Sequence, residues 1–400
     1  MKKTIDDCFF QIQNGANIKQ GDVDGGFPIT RIETTANDKF NRDRMGYAGI
    51  TDISKYESYV LEDGDLLMSH INSVQYLGRT VLYVKQTDET IIHGMNLLRL
   101  KARRDVINPA YARYCFYGNP FRRQVRKITK KSVNQASFAV KDLKQIKIDV
   151  PSLSEQEQIV EILDRLQKII EMRSNELSTL DELIKARFVE MFGDAVANPM
   201  NWPVKKLKDI SVQINSGNTP KGGAENYVEE GITFFRSQNV WKDRLEMEDI
   251  AYIDAETHAS MKRSSLKYGD ILMTKTGRIN TENSSLGRAA LYMGEDDMAN
   301  INGHVYFIRL KEGINNKFVL RILVSPEYRN LIRSVCVGGI DKRQLNKEHI
   351  EDFPIICPPS DMIDEYVALA EQVDKSKVAI QAALDKSQLL FDSLMQKYFG

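Results

Sequence analysis

The chain is an internal duplication, and each copy ends in a long helical segment. Pro151 opens the first segment and Pro358 the second, an offset of 358 − 151 = 207 residues, and Phe192-Gly193 and Phe399-Gly400 repeat that offset. A repeat of this length is too long for a solenoid, whose repeats run about 20–50 residues. The duplication therefore predicts two modules of one fold.

The matched residues form a framework, whereas the residues between them differ. The repeated segments are Gly64-Asp65-Leu66-Leu67-Met68 with Gly269-Asp270-Ile271-Leu272-Met273, Leu77-Gly78-Arg79 with Leu286-Gly287-Arg288, and Arg99-Leu100 with Arg309-Leu310. We interpret Arg79 and Arg288 as parts of this framework, and the two Gly-Asp pairs as turns that enter strands. Divergent surfaces on a shared framework are expected of two modules that recognise two different targets.

Length and composition fit a protein with two domains and no membrane span. Four hundred residues are enough for two domains, each with its own core. The four cysteines are scattered without a C-x-x-C pair, which disfavours a zinc site or a disulfide framework. No apolar run approaches the ~20 residues of a membrane span, and the amino terminus lacks the apolar core of a signal peptide. We expect a reducing, cytoplasmic environment.

The charges are segregated along the chain although the formal net charge is zero. The stretch 111–147 contains ten basic residues and one acid, whereas the stretch 152–194 contains ten acids and five basic residues. A protein that binds a polyanion at defined places needs such a partition.

Each long segment has the pattern of a coiled-coil helix. Ser154 and Glu157 form an S-x-x-E capping box at the start of the first one. Apolar residues then alternate at spacings of four and three, with Arg173 as a polar interruption, and the second copy keeps this register beside Lys377 and Ser387. We predict that the two helices pack antiparallel as rods of roughly 60 Å. The alternative is that each helix covers only its own module.

The segments before the helices have the pattern of mixed α/β modules. Short strand-like runs are followed in each copy by a predicted helix, over 109–127 and 317–333, and then by one more strand. The stretch 198–203 is the clearest linker. The predicted boundaries are module 1 at 1–151, a long helix at 152–194, module 2 at 195–358 and a second long helix at 359–400.

The sequence contains no convincing active site. Asn108-Pro109-Ala110-Tyr111 resembles the N-P-P-[YF] loop of amino-methyltransferases, but Ala110 replaces the second proline and no F-x-G-x-G cofactor turn precedes it. The five histidines are far apart and form no H-E-x-x-H pattern. We therefore expect no catalysis, no metal and no cofactor in this chain.

Two strand endings and one helix opening resemble a known family. Each module closes with a strand that ends in proline, over 146–151 and 353–358, and Ser154-Glu155-Gln156-Glu157-Gln158-Ile159, which follows Pro151, resembles the family's P-x-x-x-E-Q-x-x-I helix opening. Together with the duplicated architecture, these features make the chain similar to the DNA-specificity subunit of type I restriction-modification systems. The second copy departs from the motif, because residues 360–366 contain no Glu-Gln pair.

That resemblance implies an α+β fold with two similar α/β target recognition domains, related by pseudo-two-fold symmetry and joined by two long helices packed as an antiparallel coiled coil. Each domain would read one half of an asymmetric, bipartite double-stranded DNA site, and the helices would set the spacing. The family implies two methyltransferase subunits as partners, and two restriction subunits in the full complex. S-adenosylmethionine and ATP with Mg are then expected on those partners, and this chain would perform no chemistry.

Candidate DNA contacts are side chains that match base edges in the major groove, in segments that differ between the copies. They are Arg31, Thr34, Asn37, Asn41, Arg42, His70, Asn72, Ser73 and Gln75 in module 1, and Arg236, Ser237, Gln238, Asn239, Trp241, Lys275, Thr276, Arg278 and Asn280 in module 2. Phosphate contacts are expected from the basic stretch and from the loop before the last strand, at Lys130, Lys131, Ser132, Asn134 and Gln135, with Lys342 and Arg343 in module 2. Arg31 and Arg236 recur at matching positions, so a structural role is an equal alternative for them.

Other functions are compatible with the same residues. A two-module coiled-coil adaptor for protein partners would show a flat salt dependence of DNA binding, and an enzyme with an unrecognised site would methylate DNA alone. A modification-only subunit without a nuclease partner is a variant of the leading hypothesis. Apolar residues on the helices, such as Met172, Phe188, Met191 and Met395, predict poor solubility without partners.

Overall fold

A computed structural model describes residues 1–21, 26–132, 135–279, 281, 283–339 and 342–400. The chain divides into two compact units, of which unit 1 comprises Met1–Leu177 and Ala379–Gly400, and unit 2 comprises Ser178–Val378. Each unit therefore contains one module and a part of each long helix.

Unit 1 is built from short strands and helices that precede the first long helix. Its strands are β1 (Lys2–Thr4), β2 (Phe9–Asn14), β3 (Pro28–Ile29), β4 (Gly46–Tyr47), β5 (Leu66–Ser69), β6 (Ile71–Asn72), β7 (Thr80–Leu82), β8 (Leu97–Ala102), β9 (Lys130–Lys131), β10 (Ala136–Ser137) and β11 (Lys147–Asp149). Its helices are α1 (Ile5–Cys8), α2 (Pro109–Tyr117), α3 (Asn119–Ile128) and α4 (Val140–Lys144), followed by the long helix α5 (Leu153–Phe192). The 3₁₀ segments are Ile32–Asp38, Arg42–Arg44, Ser54–Tyr59 and Val74–Tyr76.

An antiparallel four-stranded sheet in the order β2-β8-β5-β7 forms the centre of unit 1. Leu66 and Met68 of β5 belong to a cluster that includes Phe116 of α2. Leu67, between them, belongs to a second cluster with Val81. Because successive residues of a strand point to opposite faces, both faces of this sheet are covered by apolar side chains.

Unit 2 repeats this arrangement. Its strands are β12 (Val204–Lys206), β13 (Ser211–Ser216), β14 (Ile232–Phe235), β15 (Ala251–Ile253), β16 (Ile271–Thr274), β17 (Thr276–Gly277), β18 (Ala289–Leu291), β19 (Ala299–Ile301), β20 (Val305–Leu310), β21 (Val337–Gly338), β22 (Arg343–Gln344) and β23 (Pro354–Ile356). Its helices are α6 (Ala255–Ser260), α7 (Asn316–Val324), α8 (Pro326–Val335) and α9 (Lys347–Glu351), followed by the long helix α10 (Ser360–Phe399). The sheet β13-β20-β16-β18 corresponds to the four-stranded sheet of unit 1.

The repeated Gly-Asp and Arg residues hold each central sheet to its loops. Gly64 and Gly269 have positive φ angles of 87° and 85° in the turns that enter β5 and β16. Arg99 is 1% exposed and donates to two loop carbonyl groups at 2.9 and 2.6 Å. In unit 2, Arg309 pairs with Asp270 at 2.7 Å. The prediction of an α+β fold with two similar modules and two long helices is confirmed.

The first and last strands of each module pair with each other. β1 is antiparallel to β11, and β12 is antiparallel to β23. The beginning and the end of each module therefore lie side by side, directly before the long helix that follows.

The helices predicted at 109–127 and 317–333 are each two helices, so this prediction was wrong. α2 ends before Gly118, and Pro120 lies in the first turn of α3. α7 ends before Ser325, and α8 begins at Pro326. Proline lacks a backbone N–H and disfavours helical backbone in the residue before it. The prolines therefore turn each chain segment into a pair of short helices.

The long helices pack against each other in each unit, as predicted. In unit 2, Asp181 lies 2.6 Å from Lys377, and Arg187 lies 2.7 Å from Glu365. The residue number rises along α5 while it falls along α10, so the two segments of unit 2 are antiparallel.

The polar interruptions of the predicted seam have partners on the other helix. In unit 1, Arg173 of α5 donates to the Ala383 carbonyl group and to the Ser387 hydroxyl of α10. In unit 2, the Lys377 ammonium group is paired with Asp181. These polar contacts fix which residues of the two helices lie opposite each other.

The capping box of α5 lies two residues earlier than predicted. The Ser152 hydroxyl donates to the Glu155 carboxylate at 2.7 Å, and the Glu155 N–H donates to the Ser152 hydroxyl at 3.3 Å. Ser154 and Glu157 are exposed. Both pairs have the same spacing, so the motif alone could not choose between them; the buried Gln156, which donates to two backbone carbonyl groups at 2.9 and 3.1 Å, fixes the helix start.

Candidate nucleic-acid interface

A small three-stranded sheet in unit 1 brings together two distant parts of the sequence. β10 lies between β6 and β9, so Ala136 is opposite both Asn72 and Lys131. Both lysines of β9 are exposed. The Ser132 hydroxyl donates to the Gln135 carbonyl group at 2.8 Å in the connection from β9 to β10. Several predicted contacts are therefore neighbours on one small sheet.

A cleft of about 680 Å³ adjoins this sheet, and we call it the arginine cleft. Ser73 and Gln75, which follow β6, contribute to its lining, as do Arg79, Arg122 and Arg126. Arg122 and Arg126 lie one turn apart on α3 and are exposed. Guanidinium groups bind phosphate in a bidentate geometry, so the arginine cleft is a candidate site for phosphate groups.

Two of these arginines are oriented by neighbouring side chains. The Arg79 Nε atom lies 2.8 Å from the Asp38 Oδ1 atom, and the guanidinium lies 4.7 Å from the centre of the Tyr76 ring. The Arg122 guanidinium lies 5.2 Å from the centre of the Tyr117 ring. The framework interpretation of Arg79 was incomplete, because its side chain is 26% exposed and lines the cleft.

The predicted contacts between residues 31 and 41 mostly stabilise their own loop. Thr34 is fully buried, and its hydroxyl accepts a hydrogen bond from the Arg31 N–H at 2.9 Å. The Asn41 amide group donates to the carbonyl groups of Ala36 and Lys39 at 2.6 and 2.9 Å. Asn37 is exposed with a φ angle of 55°. This placement gives Thr34 and Asn41 a positioning role.

Arg42 is committed to an internal ion pair. Its Nε and Nη2 atoms donate to the two carboxylate oxygens of Glu89 at 2.8 and 2.6 Å, and the Tyr83 hydroxyl donates to the same carboxylate at 2.8 Å. The hydrogen bond from Arg42 is the main cause that lowers the pKa of Glu89 to about 2. Arg42 therefore holds a loop in place.

His70 lies between β5 and β6 and is 5% exposed. Its ring meets the Phe138 ring edge-on, with the ring centres 6.3 Å apart. Burial lowers the pKa of His70 to about 4, so the imidazole is neutral at pH 7. This placement is that of a core residue next to the small sheet.

Unit 2 contains the corresponding small sheet, with β22 between β17 and β21. Thr276 lies on β17, and Arg343 lies on β22 opposite Gly277. Lys275 precedes β17, and its ammonium group lies 5.6 Å from the centre of the Tyr306 ring. Arg278 and Lys342 are exposed at the ends of these strands. Several predicted contacts of unit 2, namely Lys275, Thr276, Arg278, Lys342 and Arg343, are thus also gathered at one small sheet.

The arginines of the cleft have counterparts in unit 2. The offsets are 288 − 79 = 209, 329 − 122 = 207 and 333 − 126 = 207, which match Arg79 with Arg288, Arg122 with Arg329 and Arg126 with Arg333. Burial lowers the pKa of Arg288, and the positive charges of Arg329 and Arg244 lower it further. Unit 2 therefore also has several arginines whose charges act on one another.

Arg288 nevertheless differs from Arg79, because it is 7% exposed. Its Nε atom donates to the Ser284 carbonyl group at 3.0 Å, and its guanidinium lies 3.9 Å from the centre of the Trp241 ring. Arg244 lies 5.3 Å from the same ring. The predicted contact Trp241 is therefore stacked against two arginines of its own unit.

Arg236 stabilises the 3₁₀ segment Ser237–Asn239, much as Arg31 stabilises its own. The Arg236 N–H donates to Asn239 Oδ1 at 2.9 Å, and the guanidinium pairs with Asp249 at 3.0 Å. Asn239 is 1% exposed. Gln238 also bonds the Asp249 carboxylate, at 2.9 Å. These contacts favour the structural alternative for Arg31 and Arg236.

Asn134 and Asn280, which were predicted as contacts, lie outside the described residues. Four arginines on the helices that precede β9 and β21 were not among the predicted individual contacts: Arg122, Arg126, Arg329 and Arg333. The offset of 207 residues that links them is the same offset that links the two long helices. That repetition was the signal that could have identified them.

The described part of the chain offers two further observations about site chemistry. Within it, His, Cys, Asp and Glu side chains form no group of three or more that could hold a metal ion. None of the helices found there has the length and apolar character needed to span a membrane. What the two clusters present is guanidinium, ammonium, amide and hydroxyl groups, which bind phosphates and base edges.

The chain is similar to a known domain family, to curated proteins and to a solved structure. Residues 1–182 match the type I restriction modification DNA specificity domain. The chain is 27% identical over 389 residues to the MjaX type I restriction enzyme specificity subunit of Methanocaldococcus jannaschii, covering 93% of this chain and 85% of that protein. It is 23% identical over 319 residues to the MjaVIII specificity subunit of the same organism, covering 73% of each chain. A solved S subunit of a type I restriction-modification system from M. genitalium shares the fold, with a TM-score of 0.62 and 14% identity, over 100% of this chain and 96% of that one.

Proposed function

We propose that this chain is a specificity subunit of a type I restriction-modification system, as its similarity to such subunits supports, and that it reads a bipartite double-stranded DNA site. Each unit contacts one half of the site, and the long helices set the distance between the halves. The chain itself performs no chemistry. We also propose the cytoplasm as its location.

The observation that carries this proposal is the recurrence of one polar arrangement in both units. Each unit has a small three-stranded sheet, and a helix that precedes one of its strands carries two arginines. The arginines of unit 2 are 207 residues after those of unit 1. Phosphate contacts from such groups position a protein on a duplex without reading its sequence. Two copies on one chain support two separate points of attachment to DNA.

The side chains beside the two small sheets differ, which supports an asymmetric site. Unit 1 presents Ser73 and Gln75 at its cleft, whereas unit 2 presents Thr276 and Arg278 at its small sheet. Glutamine matches adenine and arginine matches guanine at major-groove edges. Because the two modules are fused rather than paired by symmetry, the site needs no palindrome.

The partners follow from the family. We propose that two methyltransferase subunits assemble with this chain, and that two restriction subunits join in the full complex. S-adenosylmethionine and ATP with Mg would be bound by those partners. A system that lacks the restriction subunits would modify DNA without cleaving it.

The experiment that tests this function is a map of modified bases in the host genome with and without the gene. Loss of methylation at one two-part motif with a fixed gap is the expected result. Direct binding to duplex DNA is measured in parallel, and a steep decrease of affinity with salt is expected. An unchanged map together with a flat salt dependence would contradict the proposal and favour a protein adaptor.

A further inference from the structure

The arginine cleft contains one feature that does not suit a simple phosphate site, a carboxylate. Asp38 contributes to the lining, and its Oδ1 atom lies 2.8 Å from the Arg79 Nε atom. A carboxylate repels phosphate, and it neutralises the guanidinium that it binds. Among the described residues that line the cleft, Asp38 is the one acid beside three arginines.

The other two arginines of the cleft are left with their full charge. Arg122 and Arg126 are exposed and lie four residues apart on α3. Like charges at this spacing repel each other. Neither of them has an ion-pair partner within the described ranges of the chain. A bound anion would remove this repulsion, so the pair is suited to hold a backbone phosphate.

In unit 2 the counterpart of Arg79 is Arg288, which is buried and does not pair with the counterpart of Asp38. The counterpart of Asp38 is Asp243, at the offset of 205 that also links Arg31 and Arg236, and its φ angle is 61° where that of Asp38 is 59°. Asp243 pairs with Arg321 at 2.7 Å. Arg288 is instead buried against Trp241.

In both units the arginine of the Leu-Gly-Arg segment is held by a side chain of its own unit, but the contact differs. The third guanidinium is neutralised by Asp38 in unit 1 and withdrawn by stacking in unit 2. In unit 1 two arginines on one helix, Arg122 and Arg126, remain exposed at the cleft. In both units the arginine of the repeated Leu-Gly-Arg segment is thus engaged by its own unit, which indicates that a second phosphate contact at this place is disfavoured.

We propose that Asp38 limits the sequence-independent hold of unit 1 on DNA by keeping Arg79 from binding a second backbone phosphate. This inference rests on the proposed DNA-binding function. Each phosphate contact strengthens binding to every sequence equally, so an extra contact does not help a reader to discriminate. By restraining Arg79, Asp38 keeps non-specific binding weak while Ser73 and Gln75 are free to read bases.

The test compares salt dependences of binding to a duplex of mixed sequence, using the full chain assembled with its methyltransferase subunits. Asp38→Asn is expected to fold, because asparagine tolerates the left-handed backbone of this position. It should bind the duplex more tightly, and the slope of log affinity against log salt should steepen by about 0.9, the value for one phosphate. The double variant Arg122→Gln with Arg126→Gln should flatten the slope by about the same amount, because the pair holds one phosphate.

Two further variants make the result specific. In the double variant Asp38→Asn with Arg79→Gln, the slope should return to that of the wild type, because the Arg79 guanidinium that the first substitution releases is absent. Arg123→Gln is the matched control on the same helix: the Arg123 side chain donates to the Asn119 carbonyl group and does not line the cleft. Its slope should equal that of the wild type.

The outcomes separate this inference from the proposed function. If the wild-type complex binds steeply and Asp38→Asn has the same slope and affinity, the role of Asp38 is refuted while DNA binding stands. A gain that persists in the double variant also refutes it, because Arg79 would not be the group released. A flat slope for the wild-type complex would overturn the proposed function and this inference together.

Discussion

The same arginine of the duplicated framework has two different environments in the two units. Arg79 lines an open cleft and is bound by an acidic side chain, whereas Arg288 is buried, bonded to a backbone carbonyl group and stacked on Trp241. The backbone around them is repeated, but the residues that surround each side chain have diverged. Identity at matched positions of a duplication therefore establishes a shared backbone, not a shared role.

The largest difference that we expect between the units is in their stability towards acid. Burial lowers the pKa of His70 to about 4 and that of His93 to about 3, and both residues lie in unit 1. The unfolded chain binds a proton near pH 6.5, whereas the folded chain resists it. Stability is therefore complete above about pH 6.5 and falls as the pH drops towards 4, by roughly 3 kcal/mol for His70 alone.

Thermal unfolding between pH 7 and pH 4.5 measures this effect, with His70→Gln as the informative variant. On acidification, the midpoint temperature of unfolding should fall further for the wild type than for the variant. Equal losses in the two proteins would mean that His70 is protonated in the folded state. The cleft and the small sheet that follow His70 would then not be sensitive to acid as we expect.

The second prediction concerns the two matched arginines themselves. Arg288→Gln should destabilise unit 2 by about 2 kcal/mol, because a buried charged hydrogen bond and a stacked cation are lost. Arg79→Gln should cost unit 1 less than about 1 kcal/mol, because its ion pair is partly exposed.

Denaturant unfolding followed by fluorescence checks the first value. Both tryptophans, Trp202 and Trp241, lie in unit 2, so their emission reports on that unit. Arg79→Gln is followed instead by far-ultraviolet circular dichroism. Similar costs for the two substitutions would contradict the contrast drawn between an open and a buried arginine.

The third and smallest effect is predicted for the helix pair of unit 2. Lys377→Ala removes the ion pair with Asp181, whose side chain is 51% exposed. Solvent screens such pairs, so the expected loss of stability is about 0.5 kcal/mol. Tryptophan fluorescence of unit 2 measures it, and Lys375→Ala, an exposed lysine on the same helix and in the same unit, is a control. A loss several times larger would mean that Lys377 fixes the alignment of the helices.

The long helices and the central sheets were predictable from the sequence because they depend on periodic patterns. Apolar spacing located α5 and α10, and the repeated Gly-Asp turns marked the entry to β5 and β16. The cleft was not predictable in this way. It depends on Asp38, which reaches Arg79 from a loop with left-handed backbone at 37 and 38. No periodicity in the sequence links these two positions.

Side-chain type was also a poor guide to the role of individual polar residues. Thr34, Asn41 and Asn239 have groups that could read bases, yet they satisfy backbone groups of their own loops. Loops without regular hydrogen bonding need such side chains to satisfy buried N–H and carbonyl groups. The same chemistry thus serves both recognition and loop structure, and only the fold distinguishes them.

The pairing of the first and last strands of each module has a consequence for inheritance. Because the ends of a module are adjacent, β1 beside β11 and β12 beside β23, one continuous stretch of gene encodes a part that can be replaced as a cassette. β1 and β11, and likewise β12 and β23, belong to the same module, so these backbone hydrogen bonds move with it. A replacement module also needs a core that packs on the long helices, because Leu163 and Phe399 of those helices lie in the core of unit 1.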